Sequence, residues 1–276
     1  TQEPSSTRES SVHSNDESNT PQRPKEGSLE ELVEHQEKCS ELVAKLEAAD
    51  SAEKKSIIEW LLPAAMPLAL SRCGCRLVQK ALEAPSSAGR DLLVAELEPH
   101  AVELYESLHG NHVLTRMIEV MPSAALGPMV GRLWEKGPTT IARHRFGCRV
   151  WERLIEHCSA AQIGPLLDLL ILDSEALCRH QYGNFVVQHL LEYGSLLCRH
   201  GILSRLLPGL PTLAMHRTAS HVIQRALDFS DEESQAAIIS TLLCAASPGS
   251  LVEVASSRYG SYVVEQLATM KMQNHR

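Results

Sequence analysis

Six times in 276 residues this chain returns to nearly the same nine-residue phrase, and nothing else in it restricts the fold so severely. The copies are SRCGCRLVQ (71–79), SLHGNHVLT (107–115), HRFGCRVWE (144–152), HQYGNFVVQ (180–188), HRTASHVIQ (216–224) and SRYGSYVVE (257–265). The residue after the small Gly or Ala falls at Cys75, Asn111, Cys148, Asn184, Ser220 and Ser261, at intervals of 36, 37, 36, 36 and 41. A period of that length, kept over most of a chain, means stacked supersecondary units that bury one continuous core against their neighbours.

Between the phrases the text alternates between apolar stretches of helical spacing and short clusters of Pro, Gly and Ser, with no period-2 alternation that would predict a strand. In one unit LLDLLILDSEALC (166–178) predicts the first helix and YGNFVVQHLLEYG (182–194) the second. Aromatic residues are only 4%, so the core must be built from Leu, Val, Ile and Ala, as closely packed helices require. Ser71, Ser107 and Ser257 stand where the second helix wants an N-cap, and His144, His180 and His216 fill that slot in the other units. The expectation is an all-α solenoid over 28–276.

Counting back one period from Cys75 reaches Cys39, inside HQEKCSELVAKLEAAD (35–50), where the phrase has decayed. Residues 28–58 are therefore expected to be a degenerate capping repeat, with six complete repeats over 59–276. Residues 1–27 hold one large apolar residue, Val12, and predict a disordered Ser/Glu-rich tail, because they cannot bury enough surface to offset the entropy of ordering.

The net charge of −8 speaks at first against a polyanionic partner, but residues 1–50 carry −7 of it. The repeat region is close to neutral and can still carry one basic face. Eight cysteines without a CxxC pair fit a reduced, intracellular compartment. There is no apolar run near the roughly 18–20 residues of a membrane span and no secretory signal pattern at the start. A Gly-rich phosphate loop, a nucleophile–base signature and paired carboxylates facing a cleft are likewise missing, which predicts a protein that is not an enzyme and needs no cofactor. A metal site built from His144, His180 and His216 is not expected, since neighbouring helices stand about 8–10 Å apart and zinc ligands converge at about 2.0–2.3 Å.

The second helix decides what the surface can do. Numbered from the residue after Gly or Ala, positions one and five lie one above the other on one helical face, position two beside them, and positions three and four mostly inward. Position two is Arg76, His112, Arg149, Phe185, His221 and Tyr262, all planar groups able to stack on a nucleobase. The pairs at one and five are Cys75/Gln79, Asn111/Thr115, Cys148/Glu152, Asn184/Gln188, Ser220/Gln224 and Ser261/Glu265, hydrogen-bonding side chains suited to the edges of unpaired bases. Trp151 at position four needs more room than the aliphatic residues of the other units.

The phrase, its 36-residue spacing and this three-residue pattern resemble the PUF (Pumilio-homology) family of RNA-binding repeat proteins. HRFGCRVWERLIEHC and HQYGNFVVQHLLEYG are similar to the family's central repeats, and the 41-residue interval before Ser261 resembles the longer loop before its last repeat. The resemblance implies a right-handed superhelix of about seven two-helix units, second helices on the concave face, each binding one base of single-stranded RNA antiparallel to the chain. Carried over, Ser261/Glu265 implies G, Ser220/Gln224 A or U, Asn184/Gln188 U, Cys148/Glu152 leans to G, Asn111/Thr115 discriminates weakly, and Cys75/Gln79 implies A, or 5′-G-(A/U)-U-G-N-A-3′. It further implies a monomeric, cytoplasmic regulator of mRNA 3′ untranslated regions that recruits repression or decay proteins. The alternatives are a nucleolar relative in ribosome assembly and a helical scaffold for proteins. Only 15 residues follow Ser261, so the segment that closes the family's last repeat is expected to be missing.

Overall fold

The computed structural model describes residues 27–84, 87–245 and 249–273, so the polar tail predicted to be disordered lies outside the described residues. Every described element is helical. The chain opens with α1 (Gly27–Glu34) and α2 (Gln36–Ala48). Unit one is α3 (Ser51–Leu61), α4 (Ala65–Leu70) and α5 (Gly74–Leu82); unit two is α6 (Ser87–Leu97), α7 (Ala101–Glu106) and α8 (Gly110–Val120). Unit three is α9 (Gly127–Lys136), α10 (Pro138–Ala142) and α11 (Gly147–His157); unit four is α12 (Ala160–Leu172), α13 (Ser174–Arg179) and α14 (Gly183–Tyr193). Unit five is α15 (Leu196–Leu206), α16 (Leu210–Ala214) and α17 (Ala219–Phe229); unit six is α18 (Glu232–Cys244), α19 (Leu251–Ser256) and α20 (Gly260–Gln273).

The first helix of each unit is thus divided into a long segment and a short one. In units one, two and five a 3₁₀ turn containing Pro63, Pro99 or Pro208 makes the break, because proline donates no backbone hydrogen bond. In unit three Gly137, at φ +97°, ends the long helix and Pro138 starts the short one. Unit four breaks at Asp173 without a proline, inside the stretch 166–178 that reads as one helix in the sequence. A capping box at Asp50 starts α3 at Ser51, so unit one begins ahead of the 58/59 boundary read from the sequence.

The phrase helices stack side by side in one layer, α5 on α8, α8 on α11, α11 on α14, α14 on α17 and α17 on α20, with α2 extending the row beyond α5. The long helices form the second layer, and each short helix packs on the phrase helix that follows it. The result is an α–α repeat solenoid whose buried core runs continuously from Leu32 to Val263. Position three, occupied by Leu77, Val113, Val150, Val186, Val222 and Val263, is wholly buried in every unit. Each such side chain contributes about 1.5–3 kcal/mol of burial, and this repeated column, rather than intrinsic helix propensity, holds the layer together. Cys39 of α2 is buried on the same terms, matching its register with Cys75.

The predicted caps are in place. Ser71 Oγ accepts from Gly74 N at 2.8 Å, and Ser107 Oγ and Ser257 Oγ accept from Gly110 N and Gly260 N at 3.0 Å. His144 Nδ1 accepts from Phe146 N and Gly147 N at 3.3 Å, and His180 Nδ1 from Tyr182 N and Gly183 N at 3.2 Å. His216 Nδ1 takes Thr218 N and Ala219 N at 3.2 and 3.4 Å. Each of these rings must be neutral to accept, and burial pushes all three imidazoles below their ordinary pKa.

Candidate functional site

Helical spacing brings positions one, two and five of each phrase helix to one patch, and the stacking of the helices turns six patches into a continuous strip. Within each patch the burial is graded. Position one is buried in units one to five (Cys75, Asn111, Cys148, Asn184, Ser220) and half-buried at Ser261. Position five is half-buried at Gln79, Thr115, Glu152, Gln188 and Gln224 and exposed at Glu265. Position two is exposed in all six: Arg76, His112, Arg149, Phe185, His221 and Tyr262. Phe185 and Tyr262 show 48% and 59% of their surface to solvent, which leaves both rings accessible to a stacking partner.

The pairs differ in how completely they satisfy themselves. In unit four Gln188 Nε2 donates to Asn184 Oδ1 at 2.9 Å, while Asn184 Nδ2 donates to the carbonyls of His180 and Gln181 at 2.8 and 3.1 Å. Asn111 repeats the second half of this pattern, donating to the carbonyls of Ser107 and Leu108 at 2.8 and 2.9 Å. Its Oδ1 has no partner among the described residues, because the shorter Thr115 turns its hydroxyl back to the His112 carbonyl at 3.1 Å. In unit one Gln79 Nε2 donates to the Cys75 carbonyl at 2.9 Å. Glu152 has no cation within ion-pairing distance among the described residues, and burial raises its carboxyl pKa against the opposing pull of His189, Arg153 and Arg149. Its partner Cys148 is held as a neutral thiol, pushed up to about 11 chiefly by burial, and donates to the Arg145 carbonyl at 3.6 Å.

Trp151 finds the room it needs: its ring is completely buried and Nε1 donates to the Pro138 carbonyl at 3.0 Å. Among the described residues no group of three or more potential ligands is arranged for a metal ion, and no helix is long and apolar enough to cross a membrane. The three capping histidines spend Nδ1 on backbone amides.

Sequence reasoning missed a ladder of charges on the C-terminal half of the phrase helices. Lys80 bridges Glu47 and Glu83 at 2.8 and 3.2 Å, and Arg116 bridges Glu83 and Glu119 at 3.4 and 2.9 Å. Arg153 joins Glu119 at 3.8 Å and also pairs with Glu156, which His189 Nε2 meets at 3.0 Å. Arg225 then meets Glu192 at 3.2 Å, and Gln266 donates to Asp228. The signal was present in units one, two, three and five as a cation one residue after position five and an acid three residues further on, with His189 and Glu192 in the same places in unit four. Partly exposed pairs of this kind are each worth about 0–1 kcal/mol; their larger consequence is that these cations are already matched.

At the α2 end, a cleft of about 590 Å³ opens between α2, α5 and the turn before α8, with Ser40, Arg72, Arg76, Gln79 and His112 among its walls. Val43 faces the same space where the other units carry Gln, Thr or Glu, so this end offers volume without the polar pair.

The model of the Pumilio-family RNA binding repeat matches residues 66–98, 139–171, 175–207, 210–243 and 250–267, together more than half of the chain. The chain is 29% identical over 126 residues to the Pumilio domain-containing protein C6G9.14 of Schizosaccharomyces pombe, a match covering 45% of this chain and 18% of that protein. It is 28% identical over 115 residues to Meiotic PUF family protein 1 of the same yeast, covering 42% of this chain and 20% of that one. The matched stretch thus spans about a fifth of the length of these curated relatives. Among solved structures, PUF-8 in complex with PBE-RNA superposes with a TM-score of 0.81 at 25% identity, covering 87% of this chain and 71% of the other. The Puf3 RNA binding domain bound to a Cox17 RNA 3′ UTR recognition sequence gives 0.81 at 23%, covering 88% and 72%.

Proposed function

Because this chain belongs to the Pumilio family of RNA-binding repeat proteins, we propose that its RNA-binding domain reads single-stranded RNA one base per phrase helix and acts as a cytoplasmic regulator of mRNA. The reading rests on one arrangement above all. Six successive phrase helices each present a hydrogen-bonding pair, its first member buried or half-buried and its second half-buried or, at Glu265, exposed, beside an exposed planar side chain, in register along one layer. A base inserted between position-two residues of adjacent units is stacked on both faces, worth about 1–3 kcal/mol per base. Its Watson–Crick edge then meets positions one and five. Gln donates and accepts, as uracil and adenine require; an ionised Glu only accepts, as the adjacent N–H groups of guanine require.

With RNA antiparallel to the chain, the units from six to one read 5′-G-(A/U)-U-G-N-A-3′. Asn184/Gln188 is the best organised pair and is assigned U; Asn111/Thr115 is the least complete and is assigned no base. Regulation through mRNA 3′ untranslated regions, with effector proteins bound elsewhere on the chain, follows the family pattern and is supported by the 3′ UTR sequence bound to Puf3.

The test is selection of the protein against a random RNA pool, followed by sequencing of the bound fraction. Enrichment of the six-base register sustains the reading in full. Binding without an enriched motif points instead to a role in ribosome assembly, and folded protein that binds no RNA at low salt leaves a protein scaffold.

A further inference from the structure

We propose that a row of arginines at the N-terminal ends of the phrase helices carries the RNA phosphates, and that the ion-paired row at their other ends confines the backbone to that side. The inference rests on the RNA reading above. Arg72, Arg145, Arg217 and Arg258 stand three residues ahead of position one in units one, three, five and six, in the turn between short helix and phrase helix, and all four are exposed. Leu108 and Gln181 hold the same place in units two and four. Together with Arg76 and Arg149 at position two, this puts six guanidinium groups along one edge of the layer.

Four observations separate this row from ordinary surface charge. None of the six arginines makes an ion pair among the described residues, whereas Lys80, Arg116, Arg153 and Arg225 on the other half of the same helices are all matched to carboxylates. On the six phrase helices, among the described residues, the unpaired arginines therefore stand at the N-terminal ends and the ion-paired cations at the C-terminal ends. Arg72 also lines the same cleft as Arg76, Gln79 and His112, so one nucleotide lying there meets base-edge, stacking and cationic groups together. Finally, the amides at the helix starts are not available to an anion. Ser71, Ser107, Ser257 and the three histidines already cap them. A phosphate at this edge must be met by side chains rather than by the free N–H groups of a helix N-terminus. The guanidinium of Arg145 lies 4.2 Å from the centre of the Phe146 ring and that of Arg258 5.6 Å from Tyr259, which holds both heads over the turn instead of loose in solvent.

The phosphate contacts fall in alternate units at the α2 end and in consecutive units at the other, where the 5′ end of the RNA lies in the antiparallel reading. The net charge of −8 does not oppose this, because local matching, not the total, decides what an approaching phosphate meets.

The experiment measures the salt dependence of binding to a fluorescein-labelled oligonucleotide carrying GUUGUA between uridine flanks, for the wild-type chain and for R72Q/R145Q/R217Q/R258Q. Each phosphate contact on a single strand contributes about 0.7 to the slope of log K against log salt, so the four-fold variant is expected to be shallower by about 2.8. Between 50 and 200 mM salt that corresponds to about fifty-fold less salt-induced loss of affinity than wild type shows. The ratio of affinities for this RNA and its single-base variants stays unchanged. Arg116→Gln, whose charge is already matched, leaves the slope at the wild-type value. A four-fold variant with the wild-type slope, or an equal drop in slope from Arg116→Gln, overturns the proposal. If the four-fold variant does not fold by circular dichroism, wild type is titrated with the same RNA bearing uncharged methylphosphonate linkages; an undiminished salt slope there overturns it equally. Wild type that binds neither RNA at 50 mM salt removes the RNA reading itself, a result distinct from binding with an unaltered slope.

Discussion

Glu152→Gln tests the base-reading scheme where structure and sequence meet most sharply. The wild-type carboxylate is half-buried, has no cation partner among the described residues and sits above a neutral thiol. Burial raises its pKa, so keeping it ionised at neutral pH costs folding stability. For an acid whose folded pKa is raised, the associated stability is present at low pH and lost as pH rises through the folded value. Replacing it by the neutral amide removes that cost, and the free protein is expected to be more stable than wild type at pH 7 and no more stable at pH 4. The same change exchanges an acceptor-only group for one that donates and accepts, so unit three should move from G to A at the fourth base. A good bidentate pair is worth about 1–3 kcal/mol of discrimination. Wild type should then favour G over A by about five- to 150-fold, and the variant should favour A by a similar factor. Lowering the pH through the raised pKa should weaken the wild-type preference for G, because a protonated carboxyl donates as the amide does, and should leave the variant unaffected. The assays are chemical denaturation of the free protein and competition binding between two RNAs differing at that base. A variant that is less stable at pH 7, or that keeps the G preference, refutes the argument.

Three further outcomes follow from the geometry. Thr115→Gln supplies the donor that Asn111 Oδ1 lacks and should reproduce the 2.9 Å Gln188–Asn184 bond; denaturation should show a gain of about 1 kcal/mol, and competition binding a new preference for U at that base, with a loss of stability contradicting the reading. Gly147→Ala places a Cβ 2.3 Å from the Ile141 carbonyl oxygen, whereas in Gly183→Ala the nearest atom is a terminal methyl of Leu177 at 2.8 Å; the first should cost about 1–3 kcal/mol more than the second by thermal or urea unfolding. The neutral capping histidines make stability fall as pH drops from about 6.5 toward their lower folded values, since the unfolded chain takes up protons first. The triple substitution H144S/H180S/H216S, borrowing the serine of the other units, should flatten that acid limb, and an unchanged limb would show that other groups cause it.

The sequence by itself determined much of this protein. A phrase repeated at a period of about 36 implies stacked units, the apolar spacing between copies makes those units helical, and helical spacing places positions one, two and five together and three and four mostly inward. The serine and histidine caps were legible too, because capping is a contact within a few residues of chain. What only the tertiary structure decided are the relations between units, which depend on helix-to-helix distance and burial rather than on spacing. That Arg116 bridges Glu83 of the preceding unit as well as its own Glu119, and that Glu152 stands half-buried with no cation in pairing distance among the described residues, both require neighbouring helices to be in place. The break of the first helix at Asp173 belongs to the same class, since no proline or glycine marks it in the chain. The segregation of matched from unmatched arginines was invisible for the same physical reason: a side chain's charge is written in the sequence, but whether that charge is already spent is settled by what packs beside it.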